Sequence, residues 1–174
     1  LLLGVTAILA GIAYTGGHWP YGYHGLGDFF VFVYFGVLAV TGTYYVQAVT
    51  EVAGLFPLWI PAGTVPGAVV VASVGPASLA TAVLVVNNVR DLETDAATGK
   101  RTLAVLLGYR WSRVEFAGLV AVGYLVPVWL WLGFDYGWPT LLPLVSLPVA
   151  ASVTRTVLRR TDGEALNPAL KRAG

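Results

Sequence analysis

The residues best suited to chemistry lie in one polar segment, 87–101, which reads NNVRDLETDAATGKR and is called the acidic segment below. Within it Asn87, Asp91 and Asp95 recur every four residues. On a continuous helix each such step rises ~6 Å and turns by ~40°, so the three residues form a ladder on one face. Two acids at this spacing repel each other by about 0.2–0.5 kcal/mol, and a bound cation would relieve that repulsion. Mg²⁺ suits the ladder because it takes oxygen ligands and is commonly held by one or two carboxylates together with substrate phosphates.

The basic end of the acidic segment fits the same chemistry. Arg101 can fork onto a phosphate group, and Lys100 can face it as a point charge. Together with the ladder, these residues fit a diphosphate leaving group. The alternative is a solvated loop in which the three basic residues of the segment offset its three acidic residues, and the spacing leaves both interpretations open. We expect an unbroken helix through residues 83–98 that ends at Gly99.

The rest of the chain must supply the elements that hold this segment, and its composition indicates a membrane protein. Of its 174 residues, 57% are hydrophobic and 11% are charged, with a mean hydropathy of +0.75, whereas soluble domains carry roughly 25% charged residues. Uncharged runs cover 29–50, 52–89, 116–134 and 136–154. Because ~20 apolar residues cross the hydrocarbon core, these runs supply four crossings.

The predicted fold is all-α, a polytopic transmembrane helix bundle. We place helices at 29–50, 65–89, 115–133 and 139–158, with a turn marked by Pro57, Pro61, Gly63 and Pro66. Residues 1–13 read as the end of a further helix. The chain contains no methionine and opens in mid-helix, so we expect a fragment of a longer protein. It also contains no cysteine, which excludes thiol catalysis and disulfides.

The basic residues set the predicted topology. All ten fall within 90–113 or 155–172, two segments separated by two helices. Both segments therefore lie on one side, which the positive-inside rule makes cytoplasmic. Counting back one helix places residues 14–28, called the aromatic loop below, on the same side. We therefore expect a multi-pass protein of the cell membrane in which the acidic segment and the aromatic loop can build one cytoplasmic site.

Several segments resemble a known family. Residues 87–95, NNVRDLETD, followed by 99–105, GKRTLAV, closely resemble the second aspartate-rich motif of the UbiA superfamily of intramembrane prenyltransferases. Within that superfamily the chain is similar to the branch that prenylates 1,4-dihydroxy-2-naphthoate in menaquinone synthesis. Further agreement lies in 14–17 (YTGG), 25–28 (GLGD), 42–47 (GTYYVQ) and 166–168 (LNP). The resemblance covers nearly the whole chain.

The resemblance implies an architecture of nine helices with two aspartate-rich motifs. Residues 1–174 would then form one membrane-embedded domain from the end of helix four through helix eight. It would lack the N-terminal helices, with the first motif, and helix nine, so we expect this piece alone to be inactive. The partners implied are the lipid bilayer, a polyprenyl diphosphate and an aromatic acceptor, with no nucleic acid.

The resemblance also implies a mechanism. Mg²⁺ assists ionisation of the polyprenyl diphosphate, and an electron-rich ring carbon captures the allylic cation. In the naphthoate branch the ring carboxylate is lost, giving demethylmenaquinone. Carried over by position, Asn87, Asp91 and Asp95 would bind metal and diphosphate, with both aspartates catalytic. The residues implied as diphosphate contacts, which could equally be topology signals, are Arg90, Lys100 and Arg101.

The aromatic loop and one helix supply candidate acceptor contacts. The loop carries tyrosine, tryptophan and histidine side chains among several glycines. These rings could stack on an aromatic acceptor, although aromatic residues at a membrane boundary also serve as interfacial anchors. Tyr14 is the first candidate, from its place in the resemblance. Tyr44 lies within a predicted membrane helix, where it could line a cavity or form a hydrogen bond to another helix.

Two alternatives remain open at this stage. Another member of the superfamily would prenylate a hydroxybenzoate, a porphyrin or a glycerol phosphate. A non-catalytic membrane transporter would use Asp91 and Asp95 along an ion pathway, but such residues are expected at mid-membrane in interrupted helices. Here they follow a helix end beside basic residues, which favours the enzyme.

Overall fold

All regular secondary structure in the described part of the chain is helical, as predicted. The computed structural model describes residues 2–53, 61–160, 166–167 and 171. The α-helices are α1 (Leu2–Thr15), α2 (Gly27–Phe30), α3 (Ala39–Ala53), α4 (Gly67–Arg90), α5 (Leu92–Ala97), α6 (Leu103–Gly133) and α7 (Leu147–Arg159). A π-helix, Val31–Leu38, joins α2 to α3. Two 3₁₀-helices cover Tyr21–Tyr23 and Trp138–Ser146.

Four helical segments are long and apolar enough to cross a membrane, which confirms the predicted bundle architecture. They are Gly27–Val49, Gly67–Arg90, Leu103–Gly133 and Trp138–Arg159. The shorter α1 is also apolar. Large apolar side chains such as Phe35, Leu132 and Val145 point outward and are more than two-thirds exposed. A surface of this kind suits contact with lipid or with further helices.

The third crossing differs from the prediction at its start. The helix expected from residue 115 begins at Leu103, where the Thr102 hydroxyl accepts a hydrogen bond from the Val105 N–H at 3.4 Å. The charged residues at 110–115 ended the predicted span, but a helix that emerges from the membrane carries such residues without breaking. The interruption comes instead at Gly108, whose φ of 72° is a conformation that glycine adopts readily.

The centre of the bundle is the pair α4 and α6. Val85, Val86 and Val89 of α4 are fully buried against Phe116 of α6 and Val157 of α7. On another side, the π-helix approaches α4 so closely that a methyl group built on Gly36 would lie 2.0 Å from the Ala77 Cβ. Packing on both sides fixes α4, and therefore fixes where the acidic segment leaves it.

The predicted turn between the first two crossings is confirmed over residues 61–66. The Pro61 carbonyl accepts hydrogen bonds from the Thr64 N–H at 3.2 Å and from the Thr64 hydroxyl at 2.8 Å. Gly63 has a φ of 83°, and Pro66 precedes the first residue of α4. Pro57, which was assigned to the same turn, lies outside the described residues.

Candidate active site at one end of the bundle

The acidic segment is bent at Asp91, so the prediction of an unbroken helix through 83–98 is wrong at this residue. Helix α4 ends at Arg90, Asp91 has φ −95° and ψ 6°, and α5 begins at Leu92. Arg90 donates two hydrogen bonds to the Asp91 carboxylate, from Nε to Oδ1 and from Nη2 to Oδ2, both 2.7 Å. Side chains of consecutive residues do not face each other on a helix, so this fork requires the backbone to leave the helical path.

The ladder spacing nevertheless survives the bend. The Asp91 N–H donates to the Asn87 carbonyl at 3.0 Å, and the Asp95 N–H donates to the Asp91 carbonyl at 2.8 Å. Asn87, Asp91 and Asp95 therefore occupy consecutive turns, on two helical segments instead of one. Asn87 and Asp91 are partly exposed, whereas Asp95 is buried.

The chain turns out of α5 at Gly99, which is the predicted stop. This turn brings Lys100 back toward Asp95. Gly99 has a φ of 79°. Its N–H donates to the Ala96 carbonyl at 3.2 Å, and the Lys100 N–H donates to the Asp95 carbonyl at 2.9 Å, the two bonds of a Schellman motif. The reversal brings Lys100 Nζ to 3.0 Å from Asp95 Oδ1. Each acid of the ladder thus has its own cation.

These pairings shift the acid–base behaviour of the acidic segment. The fork from Arg90 lowers the pKa of Asp91, against a smaller opposing effect of burial. The hydrogen bond to Asp95 raises the pKa of Lys100 above its usual 10.5. The Lys100 charge interacts with both Asp91 and Asp95. The segment therefore presents a compact set of paired acids and bases.

The aromatic loop packs against the acidic segment, so the two predicted parts of the site do lie at one end of the bundle. The Tyr23 carbonyl accepts a hydrogen bond from the Arg101 N–H at 3.0 Å. Lys100 Nζ lies 5.2 Å from the centroid of the Tyr23 ring. Gly25, at φ 75°, fits beside Leu106, where an added Cβ would lie 2.8 Å from the Leu106 Cδ1. A side chain at position 25 would therefore displace the end of the Leu106 side chain and would hold a strained backbone conformation.

Of the two candidate acceptor contacts, the structure brings Tyr14 to this site. Its ring meets Tyr21 edge-on, with 5.5 Å between centroids, and its charge environment includes Asp95 and Lys100. Tyr44 is exposed on α3, 17 residues beyond the start of α2, which at a helical rise is roughly 20–25 Å away. In the described part of the chain, Tyr44 therefore lies far from the aromatic loop and the acidic segment.

The other predicted residues lie around the same end. Arg90 also reaches Asn167, with Nη1 3.5 Å from Oδ1, and the neighbouring Leu166 is fully buried in the core. The Arg101 side chain is exposed and could reach a ligand. Within the described ranges, no three His, Cys, Asp or Glu side chains form a group that could hold a metal ion. The acidic segment offers two acids and one amide that could serve as metal ligands.

Sequence reasoning missed two acids near the aromatic loop. Asp28 is 4% exposed at the start of α2, and its charge interacts with Glu115 of α6. Asp28 is the only charged residue of the aromatic loop, and Glu115 begins an otherwise uncharged run to residue 134. An isolated acid at the edge of an apolar run was the signal that could have identified both.

Comparison with known proteins adds a family and several relatives. The model of the UbiA prenyltransferase family matches residues 1–173. Three proteins named 1,4-dihydroxy-2-naphthoate octaprenyltransferase are similar to this chain. The Escherichia coli (strain K12) protein is 41% identical over 176 residues, covering 99% of this chain and 51% of that protein. The Mycobacterium tuberculosis protein is 36% identical over 174 residues, covering 100% and 54%. The Haemophilus influenzae protein is 39% identical over 149 residues, covering 86% and 44%.

The chain thus spans about half the length of these relatives. No solved structure matches it.

Proposed function

The chain belongs to the UbiA prenyltransferase family, and on this premise we propose that the whole protein transfers a polyprenyl group from a polyprenyl diphosphate to 1,4-dihydroxy-2-naphthoate. The ring carboxylate is lost in the transfer, and the product is demethylmenaquinone. The names of the most similar relatives support this choice of acceptor and of a long prenyl donor. In this proposal residues 1–174 are part of one membrane-embedded catalytic domain.

The observation that carries the proposal is the contact between the acidic segment and the aromatic loop. A transferase must hold two substrates in one place, and doing so removes much of the entropic part of the barrier. The hydrogen bond between Arg101 and Tyr23, and the position of Lys100 over the Tyr23 ring, join the charged residues to the aromatic ones. The charged residues suit a diphosphate, and the aromatic rings suit a flat acceptor.

Asn87, Asp91 and Asp95 fit a magnesium ion by the chemistry of their donors. All three offer oxygen, and each acid is paired with a partly exposed basic side chain. Mg²⁺ bound there supplies positive charge that stabilises the departing diphosphate. The side chains of Arg90 and Lys100 neutralise the same acids in this structure. If a metal ion replaced them there, they would become available to diphosphate oxygens. Arg101 adds a third positive charge from the surface.

The apolar body of the bundle protects the reaction. On α4 the fully buried Val86 lies directly before the acidic segment and Val89 lies in its first turn, both packed with Phe116 and Leu166. Water that reached an allylic cation would capture it. Apolar packing beside the charged residues excludes water and so favours transfer to the acceptor. Tyr14 and Tyr23 contribute rings on the other side.

The family and the four apolar helices make this a multi-pass membrane protein. We place it in the plasma membrane with the loop end on the cytoplasmic side. The support is the charge distribution, because the basic residues of the described chain lie at the loop end of α4, α6 and α7, and an excess of Lys and Arg marks cytoplasmic loops.

An acceptor panel tests the proposed function. Full-length protein is incubated with Mg²⁺, radiolabelled octaprenyl diphosphate and one acceptor at a time: 1,4-dihydroxy-2-naphthoate, 4-hydroxybenzoate, a porphyrin or glycerol phosphate. We expect label only in a decarboxylated prenyl naphthoquinol. Label in another product would reassign the acceptor, and no labelled product with any acceptor would refute prenyl transfer.

A further inference from the structure

Asp28 is a buried carboxylate that the described structure leaves incomplete. It lies in the first turn of α2 and is 4% exposed, and its Oδ1 has no hydrogen-bond partner among the described residues. Of the two ion pairs found in the described chain, neither involves Asp28. Native proteins leave few buried polar atoms unpaired, so such an atom calls for an explanation. An ionised carboxylate only accepts hydrogen bonds, so the missing partner is a donor.

The surroundings of Asp28 identify the kind of donor. The Asp28 charge interacts with both Tyr14 and Glu115. The Tyr14 ring covers the neighbouring residue, since a Cβ built on Gly27 would lie 3.5 Å from both the Tyr14 hydroxyl oxygen and its ring. Tyr14 is itself only partly buried. Asp28 therefore lies next to a residue that a partly exposed aromatic ring covers, a few residues from the loop contact with Arg101.

We propose that Asp28 binds the aromatic acceptor by accepting a hydrogen bond from one of its ring hydroxyls, with Tyr14 shifting to lie beside the ring. This inference rests on the proposed function, because it takes the acceptor to be a hydroxylated aromatic acid. A hydroxyl satisfies Oδ1 without adding charge to a buried place. The negative charge of Asp28 also repels the acceptor carboxylate, which therefore points away from Asp28. Asp28 thus sets which way round the ring lies.

The test compares acceptors as well as variants. In full-length protein, kcat/KM is measured for 1,4-dihydroxy-2-naphthoate in wild type, Asp28→Asn and Asp28→Glu. Inhibition constants are measured for 1-hydroxy-2-naphthoate and 4-hydroxy-2-naphthoate, each of which lacks one ring hydroxyl. Asp135→Asn serves as the matched control, because Asp135 is exposed at the opposite end of α6 with a φ of 56° that asparagine tolerates.

We expect Asp28→Asn to lower kcat/KM for the dihydroxy acceptor by about 10- to 100-fold, the usual strength of a hydrogen bond to a charged group. The KM for the prenyl diphosphate should stay unchanged. One of the two monohydroxy analogues should bind wild type and Asp28→Asn equally, because it lacks the hydroxyl that Asp28 receives. Asp28→Glu, which keeps the charge but displaces it, should fall between wild type and Asp28→Asn. Asp135→Asn should match wild type throughout.

Thermal stability separates binding from a structural role. Removing an unpaired buried charge that serves binding should leave Tm equal or higher. If instead a cation from elsewhere in the full-length protein pairs with Asp28, Asp28→Asn lowers Tm and weakens all three ligands alike, which overturns the inference. Unchanged kcat/KM for the dihydroxy acceptor also overturns it. Either failure leaves the proposed function standing if wild type prenylates the naphthoate, whereas a wild type inactive on it refutes the proposed function itself.

Discussion

In the acidic segment both ladder carboxylates are held by cations of the same segment, Asp91 by Arg90 and Asp95 by Lys100. In the aromatic loop, Asp28 is buried with one oxygen that has no partner among the described residues. The two places suit different ligands. Balanced charges near the surface can be exchanged for a metal ion and a diphosphate at little cost, since ions replace ions. An unpaired buried acid instead favours a neutral hydrogen-bond donor. We therefore propose that the donor substrate binds at the acidic segment and the acceptor at the aromatic loop.

The largest expected effect comes from removing the acids of the donor side. Asp91→Ala with Asp95→Ala in full-length protein should lower prenyl transfer by at least about a thousandfold, because the charge that holds metal and diphosphate is lost. Helix content by circular dichroism should not change. Glu93→Gln is the matched control, since this exposed acid of the same segment has, among the described residues, one side-chain hydrogen bond, from the Tyr109 hydroxyl at 3.3 Å, and should retain near wild-type turnover. Substantial turnover in the double variant would remove the donor role from the acidic segment.

A smaller effect should follow from changing the neutral member of the ladder. Asn87→Ala removes one oxygen donor and no charge, so we expect the Mg²⁺ concentration for half-maximal activity to rise roughly tenfold with kcat largely recovered at saturating Mg²⁺. A titration of activity against free Mg²⁺ measures this directly. Asn88→Ala, at the adjacent position on α4, is the control. Equal titration curves for wild type and Asn87→Ala would exclude the amide from the metal site.

The turn that returns Lys100 to Asp95 can be tested by stability. Gly99→Ala forces a side chain into φ 79°, which costs about 1 kcal/mol, so we expect Tm to fall by ~2–4 °C. Gly118→Ala is the control, because a Cβ at this exposed helical position of α6 would meet no atom within 4 Å, and its Tm should be unchanged or slightly higher. Equal Tm values for the two variants would contradict the Schellman ending.

The smallest effect is the pH dependence of the Arg90–Asp91 fork. Arg90 lowers the pKa of Asp91 below its ordinary 3.8, so the folded state favours the ionised acid. The stability from this pair is therefore complete above pH ~4 and is lost as pH falls through the lowered pKa of the folded state. In Tm measurements from pH 7 down to pH 3, wild type and Asp91→Asn should differ by a constant amount and then converge at the acid end. A difference that grows on acidification would contradict the fork.

The sequence predicted the parts of this protein that depend on local pattern. The lengths of the apolar runs predicted the four crossings, and Gly99 predicted the end of α5. Counting the helices predicted that the aromatic loop and the acidic segment lie on the same side. The bend at Asp91 was not predictable in this way, because the ion pair that accompanies it joins consecutive residues, which do not face each other in the helix pattern. The early start of α6 was missed because charged residues were taken as a boundary, although a helix continues through them outside the membrane.

The site itself was predicted only in part, because only some of its geometry follows from local sequence pattern. The spacing of Asn87, Asp91 and Asp95 is written in the sequence, and the structure keeps it. That each acid carries its own cation depends on the fork at Arg90 and on the reversal at Gly99. That Asp28 is buried depends on the packing of Tyr14 and α4 against α2, which no local pattern contains.

The most direct test of the division between the two loops is a pair of KM values measured on two variants of the full-length protein. Lys100→Gln removes a charge from the donor side, and Asp28→Asn removes one from the acceptor side. The account predicts that Lys100→Gln raises the KM for the prenyl diphosphate about tenfold and leaves the KM for the naphthoate unchanged, while Asp28→Asn does the reverse. Variants that raise the same KM, or that exchange the two effects, would contradict it.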